Sequence, residues 1–90
     1  MNFSRSGNRF TASIDGAEAG FIEVDAVTAS SFRIKHTEVA KAFEGQGVGG
    51  KLVRHVLDEA RREKKRVVPA CPFAAEYIRR HPEYLDLVEK

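Results

Sequence analysis

Two stretches of this chain hold residue types whose spacing suits chemistry. The first is Glu44-Gly45-Gln46-Gly47-Val48-Gly49-Gly50-Lys51, with four glycines in six residues directly ahead of an amphipathic run. The first turn of a helix leaves four N–H groups without partners and carries about half a positive charge. Glycines keep side chains away from those groups, so a phosphate oxygen can reach them, and Lys51 adds a charge in the same turn. The chemistry this pattern suits is diphosphate binding; its plainer role is capping a helix. A P-loop is excluded, because Leu52 follows Gly50-Lys51 where serine or threonine is required. A dinucleotide loop is disfavoured by the glycine spacing and by the antiparallel strands that precede it.

The second stretch is built around Cys71, followed by Pro72 and a short amphipathic run. A cysteine at a helix N-terminus has its thiolate favoured and becomes a nucleophile. The same residue type is also commonly a small buried hydrophobe. His36 closes an alternating run, and if the strands of Ile34 and Val68 are parallel neighbours their carboxyl ends face one crevice. His36 and Cys71 are expected to approach one another there, with His36 as base. Tyr77 falls on the apolar stripe of the helix that follows.

The elements that position these groups follow from periodicity. Phe10, Ala12 and Ile14 alternate with polar residues, and Asp15-Gly16 is a tight hairpin signal. Gly20–Val27 and Phe32–Val39 alternate again, which gives a three-strand meander. On that alternation Phe32, Ile34 and His36 share one strand face. Val48, Leu52, Val53, Val56, Leu57 and Ala60 then fall at helical spacing. Lys64-Lys65-Arg66 is expected to close that helix with charge of the favoured sign. Val67–Ala70 reads as a buried strand, and Pro69, lacking an N–H, marks an edge, a bulge or a split in the sheet. Phe73, Tyr77, Ile78 and His81 form the stripe of a second helix that Pro82 stops, and Tyr84–Val88 reads as a last strand. The expected order is βββ-α-β-α-β, an α+β fold (an α/β sandwich) with a mixed sheet.

Ninety residues suffice for one domain on one hydrophobic core. No run approaches the roughly 20 apolar residues of a membrane span. The N-terminus has no apolar signal core, so a cytoplasmic location is expected. One cysteine forms no internal disulfide. With three dispersed histidines it shows no metal-ligand spacing, so no metal site is expected. The net charge of +2 is small, and exposed aromatics interleaved with basic residues are lacking, which argues against a nucleic-acid partner.

The segments His36-Thr37-Glu38-Val39, Gly45–Gly50, Val68-Pro69-Ala70-Cys71-Pro72-Phe73, Tyr77 and His81-Pro82-Glu83-Tyr84 together resemble the short, single-domain GCN5-related N-acetyltransferase-like proteins. Gly47-Val48-Gly49 is similar to the glycine part of that superfamily's pyrophosphate loop, and Glu44 stands where Arg or Gln is usual. The resemblance implies a minimal GNAT-like domain over residues 1–90, without the helices that larger members carry between their first two strands. It implies acetyl-CoA (coenzyme A) as cofactor, held by Val39, Gly45, Gln46, Gly47, Val48, Gly49, Gly50 and Lys51. It also implies Cys71 as the active-site residue, Tyr77 near the place where larger members carry a tyrosine acid, and an amine acceptor, such as one on a macromolecule, reached from an open side by a monomer or weak dimer. A coenzyme A-binding module without catalysis is the alternative. Direct transfer and an acetyl-cysteine intermediate both stay open.

Overall fold

The computed structural model describes residues 1–25 and 27–88; Ala26, inside the second alternating run, lies outside them. Five strands form one sheet in chain order, β1 (Asn2–Ser6), β2 (Arg9–Ile14), β3 (Ala17–Asp25), β4 (Ser31–Val39) and β5 (Arg66–Pro69). The first four pair antiparallel and β4–β5 is parallel. Helix α1 (Val48–Arg62) joins β4 to β5, and α2 (Pro72–Arg80) follows β5. Two 3-10 helices, Lys41–Phe43 and Pro82–Leu87, complete the described elements. The fold is the expected mixed-sheet α+β architecture, with β2 and β3 joined directly at Asp15-Gly16. Both turn residues take positive φ, 50° and 82°, the conformation that a tight hairpin needs.

Two elements differ from the periodicity reading. β1 was not expected, because Asn2-Phe3-Ser4-Arg5-Ser6 offers one apolar side chain. Its pairing with β2 makes it a strand, and Phe3 earns its place by stacking on His55 of α1, ring centroids 4.4 Å apart. The expected last strand is instead the 3-10 helix Pro82–Leu87, and only Val88 bridges to β5, at Val67. Its buried residues, Tyr84 and Leu87, are three apart, which is the 3-10 period. Arg61 clamps this turn through both Asp86 carboxylate oxygens and the Glu83 carbonyl, and the Tyr84 hydroxyl donates to Asp58.

The helical stripe of α1 is buried as read: Val48, Leu52, Val53, Val56, Leu57 and Ala60 are all at most 1% exposed. They pack on Phe10, Ala12, Ile22, Val24, Phe32, Ile34 and Val67 from four strands. The helix stops earlier than its basic tail. It ends at Arg62, Lys64 takes a left-handed φ of 59°, and the Lys65 N–H reaches back to the Ala60 carbonyl, the closing bond of a Schellman turn. Arg66 already belongs to β5. α1 and α2 lie side by side on one face of the sheet. On the other face Arg33, His36 and Glu38 are exposed, with Phe21 half-buried under the Arg9 guanidinium.

Candidate active site

The site is assembled where β4 outruns β5. Their ladder ends at the Ile34–Pro69 pair, yet β4 continues to Val39. Pro69 has no N–H to extend the pairing, and Ala70 turns back to the Val68 carbonyl. Of the edge, bulge or split that Pro69 left open, the structure has a split, and Lys35–Val39 have no strand beside them on that edge among the described residues. Cys71 sits at the mouth of the split. Its N–H donates to the Ile34 carbonyl at 3.0 Å, and it is the buried N-cap residue of α2, 7% exposed.

One irregularity decides what faces the thiol. Val24 pairs with Ile34 but Glu23 pairs with His36, so Lys35 is an extra residue on β4, a β-bulge. Side chains before the bulge point inward at even numbers (Phe32, Ile34), and after it at odd numbers. Thr37, opposite the buried Ile22, therefore turns inward and its Oγ1 lies 3.6 Å from the Cys71 Sγ. His36 is turned to the uncovered face, where its Nε2 lies 3.3 Å from Glu38 Oε1 and its ring neighbours Phe21. The expected approach of His36 to Cys71 is thus corrected: the bulge brings Thr37 to the sulfur and takes His36 to the opposite face.

Burial alone would raise the Cys71 thiol. The Ala74 N–H, the Thr37 hydroxyl, and the N–H groups of Phe73 and Thr37 outweigh that effect and leave it below its ordinary value. The sulfur closes no formal cap hydrogen bond, so these donors act by surrounding it. Tyr77 follows Cys71 by six residues, about 9 Å along a helix. Its ring stacks on His81 at 3.9 Å and packs over Gly50, and burial raises its phenol.

A cleft of about 330 Å³ continues from the open edge of β4, lined by Val39, Phe43, Glu44, Gly45, Gly47, Val48, Gly49, Gly50 and Phe73. Gly45 and Gly47 have φ of 83° and 75°, where a side chain is disfavoured, and Gly47 is the N-cap of α1. Both glycines therefore line the cleft beside the first turn of α1. Six of the eight expected cofactor residues, Val39, Gly45, Gly47, Val48, Gly49 and Gly50, line it. Gln46 is exposed outside the lining, and Lys51 lines a different cleft with Met1, Phe3, Arg54, His55 and Asp58. That second cleft is slightly larger, about 380 Å³, but it lies on the exposed flank of α1 and has no converging main-chain donors. Periodicity missed Thr37, gave Phe43 no role, and put Phe73 in the apolar stripe of α2, where it is instead exposed and lines the cleft. Among the described residues no group of three His, Cys, Asp or Glu is placed to hold a metal.

Residues 9–87 match the family profile described as GCN5-related N-acetyl-transferase. The chain belongs to the GCN5-related N-acetyltransferase family. Among solved structures, this GCN5-related chain superposes on a GCN5-like protein from Staphylococcus aureus with a TM-score of 0.75 and 26% identity, over 98% of this chain and 87% of that one. It is similar in fold to the ribosomal-protein-S18-alanine N-acetyltransferase of Escherichia coli, TM-score 0.64 and 22% identity, over 82% of this chain and 50% of that one. A GNAT family acetyltransferase from Elizabethkingia anophelis, with acetyl-CoA bound, gives 0.61 and 19%, over 82% and 51%. The chain spans about half the length of these two larger enzymes. No curated protein compared with the sequence matches it. Among the described residues, no helix is long and apolar enough to cross a membrane.

Proposed function

We propose that this acetyltransferase-family chain binds acetyl-CoA along the open edge of β4 and passes the acetyl group through Cys71 to an amine acceptor. One observation carries the reading. The stretch Lys35–Val39, paired to β3 but with no strand on its β5 side among the described residues, has the Cys71 thiol beside it and leads into the glycine-walled cleft at the N-terminus of α1. A diphosphate on the α1 N–H groups would leave the pantetheine arm to run along that edge toward the sulfur. The acetyl-CoA bound by the Elizabethkingia anophelis protein supports the cofactor class.

In the first step the Cys71 thiolate attacks the thioester carbonyl carbon. A new S–C bond forms, the bond to the coenzyme A sulfur breaks, and that sulfur leaves as a thiolate that takes a proton from solvent. In the second step the amine attacks the acetyl-cysteine, the C–N bond forms, and the Cys71 thiolate is released. The amine's proton passes to solvent, since His36 is held beside Glu38 on the opposite face of the sheet.

Tyr77 favours a second reading, direct transfer, in which burial keeps its phenol protonated for delivery to the departing coenzyme A sulfur. Intact-mass analysis after incubation with acetyl-CoA separates the two. An acetyl thioester on Cys71, absent in Cys71→Ala, is expected. Coenzyme A binding with an unmodified Cys71 contradicts the covalent route, leaving direct transfer or a binding module; amine acetylation by Cys71→Ala would select direct transfer.

A further inference from the structure

The bulge at Lys35 does more than displace His36. It supplies Cys71 with a partner. Strict alternation through Lys35 would turn Thr37 toward the uncovered face and put His36 on the side of the sulfur. With the bulge, the Thr37 hydroxyl ends 3.6 Å from Sγ. The same segment fixes Cys71 from behind, since the Cys71 N–H donates to the Ile34 carbonyl just before the bulge. Thiol and hydroxyl are therefore held by one short piece of β4, in fixed register.

We propose that Thr37 is the positioning residue of Cys71, accepting the thiol hydrogen bond at rest and donating its own hydroxyl proton's hydrogen bond to the thiolate. A hydroxyl serves both states because it is donor and acceptor and rotates freely. This keeps the sulfur aimed at the open edge of β4 before and after the proton leaves. The main-chain N–H groups of Thr37, Phe73 and Ala74 favour the same anion. The inference rests on the reading of Cys71 as the acyl-carrying group.

The test uses the lone cysteine of the chain as its own reporter. Iodoacetamide alkylation of the folded protein is followed from about pH 5 to about pH 10, because only the thiolate reacts. Thr37→Val, nearly the same shape without the hydroxyl, is expected to move the midpoint up by about one pH unit and to slow alkylation below the midpoint about tenfold. Thr37→Ser should restore the wild-type profile, and Thr37→Ala should repeat the valine result. An unmoved midpoint in a folded Thr37→Val or Thr37→Ala protein, or a serine variant that behaves like valine, overturns the proposal. Mass analysis with acetyl-CoA separates its failure from that of the covalent route. A shifted profile with no acetyl-cysteine in the wild type upholds the role of Thr37 toward the thiol and removes the carrier step.

Discussion

Gly49 of α1 and Phe73 of α2 are packed so closely that a Cβ on Gly49 would lie 2.7 Å from the Phe73 Cζ. The contact brings the first turns of the two helices together, so the glycine cleft and the Cys71 cap share a wall. Phe73 is 47% exposed, and its ring can swing outward. Gly49→Ala should therefore fold, displace the ring, and gain part of the strain back through helix propensity. In a double-mutant cycle with Phe73→Ala, unfolding measurements should show a coupling of about 0.5 kcal/mol or more, with alanine better tolerated once the ring is gone. Additive effects would contradict the contact.

Gly20 offers no such escape. A Cβ there would lie 2.7 Å from the Glu38 carbonyl oxygen and 3.2 Å from both Val48 and Leu52. Main chain and two buried helix residues cannot all retreat, so Gly20→Ala forces α1 away from the sheet beside the cleft. A cost of about 1–3 kcal/mol is expected, seen in thermal melts as a fall of about 4–8 °C per kcal/mol. A variant as stable as the parent would mean that α1 is not seated as described.

His55 makes stability depend on pH in a defined direction. Its ring is stacked on Phe3 and meets Phe10 edge-on, 6.1 Å away. Burial holds its pKa below 6.5, helped by Arg62 and opposed by Asp58. As pH falls the unfolded chain takes this proton first, so the contribution of neutral His55 is complete above pH 6.5 and is lost as pH drops through the folded-state value. Melting temperatures followed down to about pH 5 should fall more steeply for the wild type than for His55→Phe, which keeps the stack without titrating. Parallel curves would contradict this.

The same structures show where a sequence speaks and where it is silent. The α1 stripe, the Asp15-Gly16 hairpin, the split at Pro69 and the glycine cleft were legible because each is a local pattern with a local cause. Tyr84–Val88 was misread because Tyr84, Leu85 and Leu87 fit a short strand as readily as a 3-10 turn, and the clamp that decides between them comes from Arg61, remote in the chain. β1 was missed because its strand character comes from pairing with β2. The partner of Cys71 was missed for one residue's sake. The signal was present: Phe32 and Ile34 are even, the next apolar residue, Val39, is odd, and such a break in parity marks a bulge.

Glu44 lines the glycine cleft where family members usually carry Arg or Gln, and its carboxylate would oppose a diphosphate bound there. Gly47, at φ 75° on the N-cap of α1, is the point at which a side chain would do most to close that cleft. Calorimetric titration with coenzyme A and acetyl-CoA, run on the wild type, Glu44→Gln and Gly47→Glu, tests the account most directly. Binding by the wild type is expected, about 3-fold to 10-fold tighter in Glu44→Gln as one repulsive charge is removed, and lost in a folded Gly47→Glu. No binding by the folded wild type, or binding indifferent to both substitutions, would contradict the assignment of the glycine cleft to the cofactor.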